Sequence, residues 1–280
     1  MYEQGISPYI IVLICIFILL VLLYSRHILL NKNKKVEIEI GNGQTIGTRE
    51  EQDDSFSTMT TASGTIAVLA DGISGLSNGK MASMIAVQTF INEFSNITST
   101  ENMRDFFTKA AQLSNREIMY NLKGKSGGTT LVAAIVDNQG YLYWGAVGDS
   151  MITIFRNGDF INVNEKQTYE SVLEERYISG EITQAEIQAN PMRKRLINYL
   201  GYSGFKNIEI GNKPIKLNKN DKVVLYSDGI SDSLTEIEIE KILSKNILPY
   251  DAAQEIVEAV EQKQLKNQDN ATVIILANGW

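Results

Sequence analysis

The strongest pattern in the chain is an apolar run close to its N-terminus. No charged residue occurs from Gly5 to Ser25, and Ile, Leu, Val and Phe fill almost every position between Tyr9 and Tyr24. A helix needs about 20 such residues to cross the hydrocarbon core of a bilayer. The two tyrosines stand where interfacial aromatic residues usually stand. The run therefore predicts one N-terminal transmembrane helix, placed within residues 1–30.

A cleaved signal peptide and a buried helix are the other interpretations of this run. A signal peptide is disfavoured because Glu3 precedes the run without Lys or Arg, and no small-residue cleavage site follows it. The basic residues all follow the run, which by the positive-inside rule predicts a single-pass cell-membrane protein whose remaining domain is cytoplasmic. They are Arg26, Lys32, Lys34 and Lys35. Residues 31–36 are expected to form a linker and residues 37–280 one large domain.

The rest of the chain shows short strand patterns and helices that come in pairs. Strands are predicted at residues 36–40, 65–70, 129–136, 141–147, 151–155, 160–163, 223–226 and 271–276, with a further strand beginning at Asp53-Asp54. Helices are predicted at residues 78–94, 102–122, 235–244 and 251–263, together with a charged helical segment at 168–200 that is interrupted at Asn190-Pro191.

Hairpin signals dominate the strand connections, and Asn157-Gly158 is the strongest of them. Because helices do not follow each strand in turn, an antiparallel α+β fold is favoured over a doubly wound parallel sheet.

The composition excludes several classes of ligand and of catalytic mechanism. The net charge of −7 argues against nucleic acid as a ligand, since binding to a phosphate backbone needs a basic face. Cys15 and His27 are the only cysteine and histidine, and both lie in or beside the apolar run. Ser-His-Asp hydrolysis, Cys-His chemistry and histidine-rich zinc sites are therefore excluded from the large domain.

Acidic residues beside predicted strand ends, most of them next to glycine, are the candidate chemical groups. A strand end fixes the position of a carboxylate, and glycine lets the backbone approach a ligand closely. One Asp-Gly pair is usually only a turn, but an ordered set without histidine or cysteine is typical of a Mg²⁺ or Mn²⁺ site. The set comprises Asp53-Asp54, Asp71-Gly72, Gly148-Asp149-Ser150, Asp228-Gly229 and Asp269-Asn270.

Six motifs in this order resemble the metal-dependent protein phosphatases, the type 2C or PPM family, in their bacterial form. The resemblance covers about residues 37 to 276. The matching segments are Arg49-Glu-Glu-Gln-Asp-Asp54, Leu69-Ala-Asp-Gly-Ile-Ser-Gly75 with its helix from Gly79, Gly127-Gly-Thr-Thr130, Gly145-Ala-Val-Gly-Asp-Ser150, Tyr226-Ser-Asp-Gly229 and Gln268-Asp-Asn-Ala-Thr272.

The resemblance implies a four-layer α-β-β-α sandwich of two antiparallel sheets flanked by helices. It implies two Mn²⁺ or Mg²⁺ ions per active site, with a weaker third. By position, Asp71 would bridge both metals, the Gly72 carbonyl would bind one, and Asp228 and Asp269 the other. Asp53 and Asp54 would hold a metal or its waters, Asp149 the third metal, and Arg49 the phosphate.

The implied activity is hydrolysis of phosphoserine and phosphothreonine in proteins by direct attack of a metal-bridging water. The implied partners are phosphorylated substrates of a Ser/Thr kinase. Two metals ~3.5–4 Å apart lower the pKa of a shared water and neutralise phosphoryl oxygens, while arginine presents a planar fork to phosphate. A membrane-tethered pseudophosphatase and a regulator acting on one dedicated phosphoprotein are the alternative functions.

Several positions depart from the family pattern. Asp53 replaces a glutamate, which shortens its reach by one methylene and makes ligation through water more plausible than direct ligation. Ile73 stands where many eukaryotic members have a histidine. Met151 replaces an arginine, and Lys166-Gln167 replaces a common Asp-His pair. Residues 165–200 align with the family's mobile flap, which is either a contact surface for the phosphoprotein or a solvated helical insertion.

Overall fold

The computed structural model describes residues 8–32, 38–73, 76, 78–98 and 102–278. The chain divides into two compact units, Met1–Lys35 and Val36–Trp280. The first contains helix α1 (Pro8–Lys32). The predicted linker falls largely on residues 33–37, which lie outside the described residues, so the domain boundaries stay a prediction.

The predicted membrane localisation is wrong. Among the residues that the structure describes, no helix combines the length and the apolar character that a membrane span requires. The prediction of a single-pass anchor with a cytoplasmic catalytic domain therefore fails.

The second unit is built on two antiparallel sheets. One has the strand order β1-β11-β10-β6-β7, and the other has the order β2-β3-β4-β5-β8, with β9 also pairing with β5. The strands are β1 (Ile38–Thr45), β2 (Ser55–Thr61), β3 (Gly64–Ala70), β4 (Leu131–Val136), β5 (Tyr141–Val147), β6 (Met151–Arg156), β7 (Asp159–Asn162), β8 (Glu209–Ile210), β9 (Ile215–Lys216), β10 (Lys222–Tyr226) and β11 (Ala271–Asn278).

The central strands are apolar on both faces because each sheet is covered on both sides. Every residue of β3, β4 and β11 is buried. The core between the two sheets includes Leu69, Val132 and Ile274. Two further cores lie on the outer faces of the sheets, beneath the helices. This arrangement confirms the predicted α+β fold of two antiparallel sheets flanked by helices.

Two groups of helices form the outer layers. Helices α2 (Gly79–Ser95) and α3 (Met103–Leu122) cover the sheet that contains β3, and the edge-to-face rings of Phe90, Phe106 and Phe107 fill the space between them. The other sheet is covered by α6 (Asp228–Ser233), α7 (Glu236–Leu243) and α8 (Pro249–Gln262). Four of the predicted helices are therefore confirmed to within two residues at each end.

The Asn157-Gly158 hairpin forms as predicted. Both residues have positive φ, 55° and 94°, which is the backbone of a two-residue type I′ turn. This turn joins β6 to β7 and sets their register, with Arg156 opposite Asp159.

The segment 168–200 is less helical than predicted. Only α4 (Tyr169–Ile178) and α5 (Gln184–Ala189) form, and α5 ends before Pro191. The chain then returns beside the start of α4, where the Tyr169 amide donates to the Arg195 carbonyl at 2.8 Å. Pairing with a segment distant in sequence has overridden the local helical pattern.

Phe107 is fully buried and packs against the ring of Phe106 at 5.1 Å. We expect Phe107→Ala to lower the free energy of unfolding by about 3–5 kcal/mol, the usual cost of removing a buried aromatic side chain. Tyr120→Ala, on the exposed face of the same helix, should change it by less than about 0.5 kcal/mol. Urea unfolding of both variants measures the difference, and equal effects would contradict the packing of α3.

Candidate metal centre

A cavity of about 930 Å³ opens at one end of the sandwich. Four of the predicted carboxylates line it, because each belongs to a strand end or turn at this edge. Asp71 follows β3, Asp149 lies in the turn between β5 and β6, Asp228 follows β10 as the first residue of α6, and Asp269 precedes β11. The structure thus brings together residues that are far apart in the sequence.

Asp54 lies buried behind this cavity. Its Oδ2 accepts hydrogen bonds from the Thr272 hydroxyl at 2.6 Å and the Ser227 hydroxyl at 2.9 Å, whereas its Oδ1 has no hydrogen-bond partner. Burial raises the pKa of Asp54 to about 7, against the lowering effect of the two hydroxyls. A buried carboxylate oxygen without a partner is costly, and a cation would satisfy it.

The carboxylates repel one another. Burial first, then the charges of Asp54, Asp228 and Asp149, hold the pKa of Asp71 well above its ordinary value. Burial and the charge of Asp269 raise the pKa of Asp228. Burial and the charge of Asp228 raise the pKa of Asp149 to about 6. Carboxylates that raise one another's pKa in this way need a positive charge among them to stay ionised near neutral pH.

Two hydroxyl residues hold the backbone of Asp71 in place. The Asp71 amide donates to Thr130 Oγ1 at 3.1 Å, and Thr129 Oγ1 donates to the Asp71 carbonyl at 2.8 Å. Thr130 Oγ1 also lies 2.8 Å from Ser150 Oγ, next to Asp149. The Gly-Thr-Thr and Gly-Asp-Ser motifs therefore form a buried frame around two of the cavity carboxylates.

A second frame surrounds Asp54 and Asp53. The Thr272 amide donates to Ser227 Oγ at 3.0 Å, and Gln44 Nε2 donates to Thr272 Oγ1 at 2.9 Å. The Asp53 amide donates to the side chain of Asn270 at 2.8 Å. Most of these residues lie within the sequence motifs, yet the sequence predicted no role for them. Their fixed spacing from the aspartates was the available signal.

Gly72 occupies a position where only glycine fits. A Cβ atom there would lie 2.5 Å from the Gly79 carbonyl carbon and 2.7 Å from the Asp53 carbonyl oxygen. The Gly72 amide donates to that same Asp53 carbonyl at 3.2 Å. The turn after Asp71 is therefore packed directly against the start of α2 and the loop before β2.

Arg49 and Asp53 line an adjoining cavity instead of the first one. Arg49 Nη2 forms an ion pair with Asp269 Oδ2 at 2.6 Å, which places the guanidinium at the boundary between the two cavities. Asp53 Oδ1 accepts the amide of Lys80 in the first turn of α2 at 3.1 Å, a contact typical of helix N-termini. Asp53 thus has a structural partner that its sequence motif did not predict.

The predicted flap forms one wall of the acidic cavity. Residues 190–197 contribute Asn190, Met192, Lys194, Arg195, Leu196 and Ile197 to its lining. Lys194 pairs with Asp232 of α6 at 2.6 Å, and Lys166 Nζ donates to Ser231 of the same helix at 3.3 Å. Ile73 also lines the cavity, whereas Met151 is buried in β6.

The donor set fits hard divalent cations. The lining carboxylates offer only oxygen ligands, which Mg²⁺ and Mn²⁺ prefer. Within the described ranges, no three acidic, histidine or cysteine side chains are already arranged as a complete ligand group for one ion. Mg²⁺ usually binds through one or two carboxylates and keeps several waters, so a partial protein ligand set is sufficient.

Comparison with known proteins agrees with this geometry. Residues 44–268 match the family model described as protein phosphatase 2C. The chain is 29% identical over 219 residues to serine/threonine phosphatase stp of Listeria innocua, covering 75% of this chain and 83% of the relative. It is 26% identical to protein phosphatase PhpP of Streptococcus pneumoniae, covering 76% and 85%.

The fold matches that of the S. agalactiae serine/threonine phosphatase with a TM-score of 0.76 at 23% identity, covering 86% of this chain and 99% of the other. The chain belongs to the protein phosphatase 2C family, whose members are metal-dependent, and it is a serine/threonine protein phosphatase. The predicted family and enzyme class are confirmed.

The raised pKa of Asp54 predicts how stability depends on pH without metal. In the unfolded chain Asp54 ionises near its ordinary value of 3.8, whereas in the native state it holds its proton to about pH 7. Between these two pH values the native state binds one more proton than the unfolded chain does. The free energy of unfolding therefore falls as the pH rises toward and through the pKa of the native state. With chelator, we expect the free energy of unfolding to fall between about pH 5.5 and 8.

The isosteric variant Asp54→Asn is the matched control because it keeps an acceptor for Ser227 and Thr272 but cannot ionise. One proton bound only by the native state changes the free energy of unfolding by ~1.4 kcal/mol for each tenfold change in proton concentration. Over the same pH range, the free energy of unfolding of Asp54→Asn should therefore fall by on the order of 2 kcal/mol less than that of the wild type. Urea unfolding at several pH values measures both proteins. The same pH dependence in each would contradict an ionisable Asp54 buried in this site.

Proposed function

We propose that this phosphatase hydrolyses phosphoserine and phosphothreonine in proteins with two Mn²⁺ or Mg²⁺ ions held at the acidic cavity. The observation that carries the proposal is the group of mutually repelling carboxylates around Asp71, together with the unpartnered Oδ1 of buried Asp54. Such a group is unfavourable in the native state unless cations compensate it. A solved structure of the phosphatase PstP, 20% identical with a TM-score of 0.69 and covering 86% of this chain and 97% of that one, contains two manganese ions.

Asp71, Asp228 and Asp269, with the Gly72 carbonyl, would hold the two cations, and Asp54 would bind a metal-bound water or a cation directly. Asp53 would act through water, and Asp149 would hold a weaker third ion. When bound, the cations supply Lewis-acid stabilisation of the phosphoryl oxygens and lower the pKa of water. Placement of Asp71 among Asp54, Asp149 and Asp228 supports the central role given to it.

Arg49 would bind the phosphate group. Arginine carries five N–H donors, so its bond to Asp269 leaves donors for phosphate oxygens. Its position at the cavity boundary lets it fix the orientation of the phosphate against the carboxylate site. Water then attacks phosphorus directly, the bond to the serine or threonine oxygen breaks, and inorganic phosphate leaves. This route needs no nucleophilic histidine or cysteine, which the large domain lacks.

Turnover of a phosphothreonine peptide tests the proposal. The wild type should hydrolyse it with Mn²⁺ and lose activity with chelator. Asp228→Asn should lower kcat by at least about 100-fold with folding intact, because it removes a metal ligand at nearly unchanged volume. Arg49→Ala should lower kcat/KM for phosphate substrates while the remaining activity still requires Mn²⁺. Undiminished turnover in chelator would overturn the metal requirement.

Metal-induced stabilisation separates the roles of the carboxylates. A ligand bound only by the native state adds ~2.7 kcal/mol at a hundredfold excess over its Kd, so Mn²⁺ should raise the Tm of the wild type. Asp71→Asn should remove most of this rise. Asp149→Ala should keep most of it while lowering turnover. Thermal melts with and without Mn²⁺, paired with rates, check this, and a full rise in Asp71→Asn would refute its bridging role.

A further inference from the structure

A second cavity, of about 820 Å³, lies beside the acidic one. The loop between β1 and β2 and the first two turns of α2 form its walls. Leu76 lines both cavities. Arg49 lines the second and is bonded to Asp269 of the first at 2.6 Å. The two cavities therefore adjoin each other, and Arg49, the residue proposed to bind phosphate, lies at their boundary.

One wall of this second cavity is apolar. Met81, Met84 and Ile85 occupy neighbouring positions on one face of α2. Met81 and Ile85 are half-buried and pack on the core below, whereas the Met84 side chain is 56% exposed. With Leu76, they form a surface that we call the α2 groove. Methionine adapts its shape to different apolar partners, which suits a site that accepts several side chains.

The charged residues that line the rest of this cavity include both acidic and basic side chains. Arg49 and Lys80 stand with Glu50, Glu51 and Asp53 around the same cavity. A peptide with a strong charge of either sign would meet repulsion as well as attraction here. Apolar contact with the α2 groove is therefore the feature that can discriminate between bound segments.

We propose that the α2 groove binds an apolar side chain of the phosphoprotein substrate, close in sequence to the phosphorylated residue. A protein substrate must continue beyond its phosphate, and an extended chain advances ~3.3 Å per residue. The adjoining groove is therefore within reach of residues about one to three positions away. The inference rests on the proposed function and adds a sequence preference to it.

The test uses the full chain with Mn²⁺ and phosphothreonine peptides that differ only in Leu or Ser at each of three positions on either side of the phosphothreonine. The wild type should favour Leu over Ser at one or more of these positions in kcat/KM. Met84→Ser should reduce that preference about three- to tenfold. An enclosed apolar pocket discriminates one methylene group by at least ~10-fold, and the partly exposed groove should discriminate no more strongly than that lower limit.

Three controls define the result. Met119→Ser removes an exposed methionine on α3 that lines neither cavity, and it should keep the preference. Met84→Leu should also keep it, because the apolar surface remains. Hydrolysis of p-nitrophenyl phosphate, which carries no flanking peptide side chain, should be the same in the wild type and in Met84→Ser.

The outcomes are distinct. Normal hydrolysis of p-nitrophenyl phosphate with no preference between the peptides, or a preference unchanged in Met84→Ser, would overturn the groove proposal alone. Light scattering of both proteins covers the remaining case: a dimeric wild type and a monomeric Met84→Ser with the preference unchanged would show that a second copy of the chain occupies the groove, which also overturns the proposal. Failure of the wild type on every substrate would overturn the proposed function, and the groove proposal with it.

Discussion

Mutual repulsion among carboxylates at one end of the sandwich is the constraint on which the rest of the site depends. Asp54 and Asp71 cannot both remain ionised in a buried position without compensating charge, and the pKa of each is raised by burial and by neighbouring carboxylates. Folding therefore assembles a group of carboxylates that is unfavourable by itself and that divalent cations would stabilise. Metal bound there, as proposed, would be coupled to stability as well as to catalysis.

The motif residues that carry hydroxyl groups hold these carboxylates in place. Thr129 and Thr130 fix the backbone of Asp71, while Ser227 and Thr272 donate to Asp54. These hydroxyl groups come from three different strand ends, so the frame closes only when both sheets are formed. The six motifs therefore describe a hydrogen-bonded frame around the site, and this explains why so many of their residues are small or carry hydroxyl groups.

Most of this architecture could be predicted because the local hydrophobic patterns of the sequence agree with the burial of the side chains in the fold. Strand β5 was predicted with its observed ends, and the Asn157-Gly158 turn follows from the positive φ that both residues tolerate. The motif residues around Asp54 lie near aspartates in the sequence, but their hydrogen bonds to Asp54 were not predictable, since these join residues 173 and 218 positions apart. Residues 190–200 were wrongly predicted as helix because their partners, near Gln167 and Thr129, are tertiary. The predicted localisation, which rested on the hydropathy of one segment and the charges beside it, was wrong.

Arg49 connects the chemistry of the site to its surroundings. It pairs with Asp269 on one side and lines the second cavity, which contains the apolar α2 groove, on the other, with 42% of its side chain exposed. Under the proposed function, a cation held by Asp269 would weaken this ion pair, because the cation would neutralise the carboxylate charge that attracts the guanidinium. Metal bound at the acidic cavity would then leave more of the Arg49 donors for phosphate. Cation binding, phosphate orientation and contact with the neighbouring peptide would in that case be coupled through one side chain at the boundary of the two cavities.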